Sequence, residues 1–454
     1  MTLRPIVTGL AALLGASLAL GAPASAAPDS TAAGDYLPTT EVPWNPPRPL
    51  PSMRPWEMVL RAPGRIATLP LSALGYVTEH TMLKLEEHSL VPKTLFVLAT
   101  PVMYGIYVMP ANLGDRTGLG GQVTYLPDYA NKLASIGISG STGHYSRFEA
   151  GFGPRNARFD YINEWRPHDR VFGIGMDTSE DGATSYSSST QLYQLSGRVK
   201  FDRPEKGQPA RLTLFASAAS REMTLGSPQG EPDDDTGFDL ATTPVGDALD
   251  QEWKGQILSA AFQSDYRRGA PHWSRGFRAL VGYDRFDPKH EEPAPIGGPG
   301  PVPQKFGTFE RYVVELEGGL SFYRDPRTLR LLARAVDTER IDRSEFSLIP
   351  VSDLPGLGGR EGLAGFEPGR FHDLDALLTR ASYIFPLAQH YEIDLHIEAG
   401  GVYPDLEKHA RLKDLKTSYG ISFRPRTQLA VVGVIGVDWS NEGARVHYSL
   451  GGVE

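Results

Sequence analysis

From Gly118 to the C-terminus the chain alternates apolar and polar residues with a period of two. Tyr193, Leu195, Gly197, Val199 and Phe201 interleave with Gln194, Ser196, Arg198, Lys200 and Asp202. Val314, Leu316, Gly318, Leu320 and Phe322 interleave with Glu315, Glu317, Gly319, Ser321 and Tyr323, and Tyr391, Ile393, Leu395, Ile397 and Ala399 with Glu392, Asp394, His396, Glu398 and Gly400. Near the end, Val446, Tyr448 and Leu450 alternate with Arg445, His447 and Ser449. Successive side chains of a strand point to opposite faces, so each segment predicts a two-faced β-strand.

Before Gly118 the pattern differs. Residues 27–55 are rich in Pro, Ala, Thr and Asp and predict a tether without a packed core. Residues 56–88 carry a helical period broken by Pro63 and Pro70. After Pro70, Leu71, Leu74, Thr78, Met82 and Leu85 share one face, with Glu79, Lys84 and Glu87 on the other. That amphipathic helix suits either a surface position or a plug.

A soluble sandwich alternates as a membrane barrel does. Three features favour the barrel. The segments run to about ten residues, the length of a tilted spanning strand. Aromatic residues stand at segment ends (Phe201, Phe322, Phe385, Tyr391, Tyr403), as interfacial girdles require. Short connections such as 324–327 alternate with long ones such as 226–252. The expectation is an all-β chain: a transmembrane antiparallel β-barrel over 118–454. At roughly twenty residues per strand and connection, it holds about sixteen strands.

The first residues change the picture by predicting export. Arg4 precedes a short apolar stretch from Ile6 to Leu20, and Ala24, Ser25 and Ala26 form a small-x-small cleavage site. This predicts a signal peptide over 1–26 and an appended segment over 27–117. The apolar run is short for a spanning helix, and Pro101 splits the next most apolar run. In hydrocarbon every backbone N–H and C=O must be bonded internally, so an exported chain without helical spans crosses only as a closed barrel. The expected location is the outer membrane of a Gram-negative bacterium.

Composition narrows the chemistry. The chain of 454 residues carries 45 Lys and Arg against 54 Asp and Glu, a formal charge of -9, with no Lys/Arg-dense stripe for nucleic acid. It has no cysteine, which excludes a disulfide framework and thiolate metal sites. There is no G-x-S-x-G elbow, no H-E-x-x-H and no phosphate-binding loop. His80 and His88 near Glu79, Glu86 and Glu87 read as a solvated charged face, and His290, Glu291 and Glu292 read alike. Asp233, Asp234 and Asp235 lack the spaced oxygens of a calcium site. The expectation is no catalytic residue, metal or cofactor. A barrel phospholipase would draw first on His396 and His447.

Residues 356–373 hold the most distinctive segment: Gly356, Gly358, Gly359, Arg360 and Gly362, then Leu363, Ala364, Gly365 and Phe366, then Gly369, Arg370, Phe371 and Asp373. It resembles the inward sixth extracellular loop of BamA/TamA-type outer-membrane barrels, the bacterial surface antigen family. Residues 172–179 and 395–400 resemble two further blocks of that family, and the resemblance covers most of 100–454. It implies a loop folded into the lumen whose tetrad arginine meets an inward carboxylate on a later strand. Here Ala364 stands at the arginine position and Glu398, followed two residues on by Gly400, at the carboxylate position. Either Arg360 or Arg370 takes over the contact, or packing of Phe366 alone holds the loop. The 27–117 segment has no room for the family's periplasmic POTRA modules, so the resemblance is to a short branch without them. Its partners would be outer-membrane lipid and a protein or lipid substrate. The terminal Gly451, Gly452, Val453 and Glu454 depart from the usual closing aromatic.

Two functions follow: a transport or membrane-biogenesis barrel, or a passive small-solute channel tuned by lumen charges such as Arg198, Lys200, Glu315 and Glu317. Lumen occupancy and a weak first-to-last strand seam discriminate between them.

Overall fold

The computed structural model describes residues 105–453 apart from residue 155 and the connections 112–119, 128–132, 179–182, 203–210, 227–251, 268–274, 290–304, 323–326, 342–346, 360–361, 389–390 and 426–430. The chain divides into units 1–93 and 94–454, and every described residue belongs to the second. The expected signal peptide, the tether and the helix over 56–88 lie outside the described residues, as do Arg360, the three aspartates at 233–235 and the His290 cluster.

One antiparallel sheet dominates. It opens with β1 (Ile106–Ala111), β2 (Gly120–Tyr125), β3 (Ala134–Ser141), β4 (Ser146–Phe152) and β5 (Ala157–Val171). It continues through β6 (Thr184–Lys200), β7 (Leu212–Gly226), β8 (Glu252–Asp265) and β9 (Gly276–Pro288). Beyond the two-residue β10 (Lys305–Phe306) come β11 (Phe309–Phe322) and β12 (Arg327–Arg340). The connection after β12 holds three more two-residue strands, β13 (Ser347–Leu348), β14 (Gly356–Leu357) and β15 (Phe371–His372). The sheet finishes with β16 (Asp375–Ala388), β17 (Tyr391–Tyr403), β18 (Lys416–Pro425), β19 (Val431–Ser440) and β20 (Gly443–Val453). Sixteen strands pair in chain order, while β10 with β13 and β14 with β15 form two small ladders of their own. The all-β expectation and the strand number both hold.

The sheet begins ahead of the Gly118 expected from alternation, because β1 is an edge strand. Its near-continuous apolar run hides the period of two, and an edge tolerates Pro110. β1 and β20 come within 8 Å at Cα, yet among the described residues no hydrogen-bonded ladder joins them. Strands β5 to β9 hold 15, 17, 15, 14 and 13 residues, more than the ten expected. A tilted strand needs only about 9–11 residues to cross a bilayer's hydrocarbon, and these strands are longer than that.

The pattern of burial inverts that of a water-soluble protein. Large apolar side chains are exposed on the outer face, among them Ile138, Leu195, Val199, Leu258, Val281, Ile397 and Val446. Buried on the inner face are Glu317, Glu392, Asp394, His396, Glu398 and Asp438. An apolar exterior over a charged interior is the arrangement that lipid, not water, stabilises. The girdle expectation fits Phe201, which is exposed, but not Phe385, Tyr391 or Tyr403, which are buried. Their rings turn to neighbours instead: Tyr391 stacks on Phe423 at 5.3 Å and Phe385 lies 5.8 Å from Tyr383.

The connections 172–183, 227–251, 289–308, 341–374 and 404–415 leave the sheet at one end, together with the short 142–145 and 441–442; the other end carries 153–156, 323–326, 389–390 and 426–430 with the longer 201–211 and 266–275. The connection 341–374 turns back over the inner wall. Ile349 and Val351 join a core with Val171, Tyr186, Met223, Leu225, Trp253, Phe286 and Phe309. Leu357, Leu363, Phe366 and Phe371 join another with Val336, Ala376, Leu378 and Val402. Both bury apolar loop side chains in an interior otherwise lined by charge, which fixes where the loop lies.

Candidate functional site: the inward loop and its anchors

The loop is built from tight turns held by its own backbone. β14 pairs antiparallel with β15, placing Gly356 opposite His372 and Leu357 opposite Phe371. Between them the Gly358 amide donates to the Gly362 carbonyl at 2.7 Å and the Phe366 amide to the Leu363 carbonyl at 2.9 Å. Gly362 has φ +123°, and a Cβ there would fall 2.3 Å from Leu378 Cδ2, so only glycine fits. Gly365 packs as closely, since its Cβ would meet the Trp439 carbonyl oxygen at 2.6 Å. Leu363 also adopts a positive φ, +61°, without being glycine. Such a residue costs of order 1–2 kcal/mol and persists where its surroundings dictate it. Here its side chain is wholly buried against the second core.

Next to Leu363, the Ala364 amide donates to Glu398 Oε2 at 2.7 Å. The carboxylate is 2% exposed. It also accepts from Ser418 Oγ at 2.9 Å and, on Oε1, from Arg380 Nη1 at 3.3 Å. Glu398 thus meets the loop through a backbone N–H, and its guanidinium comes from β16, where Arg380 stands directly opposite it in the ladder. Of the two arginines offered for this contact, Arg370 pairs elsewhere and Arg360 lies outside the described residues; the donor from the loop is the Ala364 main chain. Packing of Phe366 does contribute, edge to face with Phe371 at 5.2 Å, but it does not act alone. Gly400, two residues on, leaves room for Leu357, whose Cδ1 would lie 3.1 Å from a Cβ there.

Arg370 makes a second anchor at another place. Its Nε lies 3.1 Å from Glu442 Oε1, its Nη2 donates to the Thr178 carbonyl at 2.5 Å, and it also bonds the Thr178 hydroxyl. The guanidinium lies over Phe371 and Phe172 at 4.8 and 5.1 Å, and the side chain is 3% exposed. A buried guanidinium with a carboxylate, a carbonyl and two ring faces is well compensated. The Gly175 amide donates to the His372 carbonyl at 2.7 Å, so residues 172–178 flank the loop. Asp373 turns its carboxylate to the Leu374 amide at 2.8 Å, and burial raises its pKa above the usual range. The His372 ring packs between the backbones of Gly356 and Gly369, and burial pushes its imidazole down to about 4. Gly359 donates to the Phe366 carbonyl, Glu367 pairs with Arg445 at 3.2 Å, and Ser440 Oγ donates to the Gly365 carbonyl at 2.7 Å.

Several of these partners carry no sequence signal. Arg380, Ser418 and Ser440 are reachable only through register, and Glu442 sits in a two-residue turn. Thr178 lies in a segment singled out from sequence, though without a role assigned.

The two histidines considered for hydrolysis do meet an acid. His396 Nε2 and His447 Nδ1 lie 2.6 Å from Asp438 Oδ1 and Oδ2 respectively. Among the described residues no serine hydroxyl bonds either ring, so the three link β17, β19 and β20 without assembling a nucleophile. Nor is any group of three or more His, Asp or Glu among the described residues arranged to hold a metal ion.

No protein-family model and no curated protein matches the sequence. Solved structures similar in fold include BamA from Haemophilus ducreyi lacking POTRA domains 1-3, at 10% identity and TM-score 0.48, over 76% of this chain and 69% of that one. CdiB from Acinetobacter baumannii is similar at 10% identity and TM-score 0.45, over 76% and 58%. CdiB from Escherichia coli follows at 11% identity and TM-score 0.46, over 77% and 63%. The sixteen-stranded ladder itself, not this likeness, carries the fold: an all-β chain with an apolar exterior and an inner wall occupied by its own loop.

Proposed function

We propose that the chain is an outer-membrane β-barrel of a Gram-negative bacterium that serves transport or membrane biogenesis, handling a protein or lipid substrate rather than passing small solutes freely. The observation that carries this is the seating of residues 349–359 and 362–373 on the inner wall, through two apolar cores and the Glu398 and Arg370 anchors. The many points at which the loop is fixed to the inner wall support this reading over a freely open channel. The unlatched approach of β1 to β20 adds a place where the wall can part. Bare sheet edges are unstable in lipid, so such a seam suits a chain whose work involves opening it.

Single-channel conductance in a planar bilayer tests the reading. The intact protein is expected to give a closed or flickering trace, and replacing residues 358–369 by a short Gly-Ser linker is expected to open it. A large, steady conductance from the intact protein would make it a passive channel. If excision opens nothing, the loop is not the obstruction and the reading loses its main support.

A further inference from the structure

We propose that Arg311 is a two-position latch for the inward loop: it holds the Asp353 carbonyl while the loop is seated and pairs with Asp284 on the neighbouring strand when the loop lifts away. Arg311 on β11 stands directly opposite Asp284 on β9. Residues so placed have Cβ atoms roughly 4.5–5.5 Å apart, well within the reach of an arginine. Both side chains line the one cavity between the loop and the wall. No hydrogen bond or ion pair joins them, and Asp284 has none to any other of the described residues. Other opposed pairs in the sheet do close. One residue along the same ladder, Arg285 and Glu310 meet at 3.5 Å. Lys254 and Glu222 meet at 3.6 Å across β7 and β8, and Arg380 and Glu398 at 3.3 Å across β16 and β17.

The seated loop is what draws Arg311 away. Its Nη2 donates to the Asp353 backbone carbonyl, its Cζ lies 5.7 Å from the centre of the Phe309 ring, and its Nε has no hydrogen-bond partner. Asp353 closes the short 3-10 turn Val351–Asp353, and its carboxylate is taken by Arg221 of β7 at 2.8 Å. The two arginines hold this turn by different means. Arg221 binds a charge, so lifting the turn leaves its guanidinium without a carboxylate, which opposes release. Arg311 binds a neutral carbonyl, and the carboxylate opposite it replaces that bond with a charge-assisted one. Asp284 therefore lowers the cost of unseating the first half of the loop while taking no part in the seated contacts. The inference goes beyond the functional reading and takes from it only that the loop leaves the wall.

Amide exchange of Asp353 and Leu354, whose N–H groups donate to the Pro350 carbonyl, reads the unseating in the full chain in lipid nanodiscs. An ion pair on a wetted wall shifts such an equilibrium about two- to fivefold. Asp284→Asn should therefore slow exchange by that factor, although it takes a carboxylate from beside an arginine. In an Arg311→Gln background the same substitution should change nothing. Asp284→Glu, which keeps the charge, should exchange like the wild type, and it carries the comparison if the glutamine variant does not fold. Exchange that is unchanged or faster in Asp284→Asn, slowed equally with and without Arg311, or slowed as much in Asp284→Glu, overturns the proposal. Conductance asks whether the loop blocks the bore and exchange whether Arg311 changes partner, so either can fail alone.

Discussion

Glu398 holds three donors at once: the Ala364 amide, the Ser418 hydroxyl and the Arg380 guanidinium. Removing one partner of a buried charged pair costs roughly 3–5 kcal/mol, because the others are left unpaired and dry. Glu398→Ala should therefore release the loop, while Glu398→Gln, which still accepts from Ala364, should release it less. Trypsin cleavage after Arg360 at native pH reads this directly. Cleavage rates in both variants equal to wild type would mean Glu398 does not hold the loop. Leu363 belongs to the same argument, since its left-handed backbone sets the Ala364 amide in the turn that points at the carboxylate.

At the scale of the element, the loop from β14 to β15 is sensitive to acid. The His372 imidazole titrates near 4 in the folded loop, against about 6.5 when free, because burial disfavours its charged form. Above pH 6.5 the ring is neutral in both states and carries no penalty. As pH falls from 6.5 to 4, the released loop takes up the proton first, so the packed loop loses stability through that window and below 4 loses no more. Hydrogen exchange of the Phe366 and Arg370 amides should accelerate between pH 7.5 and 4.5, after correction for intrinsic rates, and His372→Gln should flatten the change. The same acceleration in the variant would place the acid sensitivity elsewhere. The strands themselves were legible in the alternation, β6, β11 and β17 most clearly. β1 was not, because its residues are apolar on both faces and Pro110 interrupts them.

At the scale of the molecule, the ladder runs unbroken from β1 to β20 and stops. Interior strands share hydrogen bonds on two sides and edge strands on one, so local opening is cheapest at the two ends. Amide exchange in lipid nanodiscs should be slowest in β6 and β7 and fastest in β1 and β20. Equal protection in all four would mean that a ladder closes the seam. The mouth with the long connections gathers what the chain separates: Thr178, Arg370 and Glu442 lie 192 and 72 residues apart along it and meet around one guanidinium.

The sequence by itself determined the all-β class, since a period of two with one apolar and one polar face is the pattern of a two-faced strand. It also marked the loop, because the glycines at 358, 359, 362 and 369 stand where the chain turns with positive φ. Partnership was decided only in three dimensions. Arg380 faces Glu398 because the β16–β17 register puts it there, and a shift by one residue would turn it to the outer face. Nothing in the local pattern records that register, nor that a backbone N–H at Ala364 would do what an arginine was expected to do.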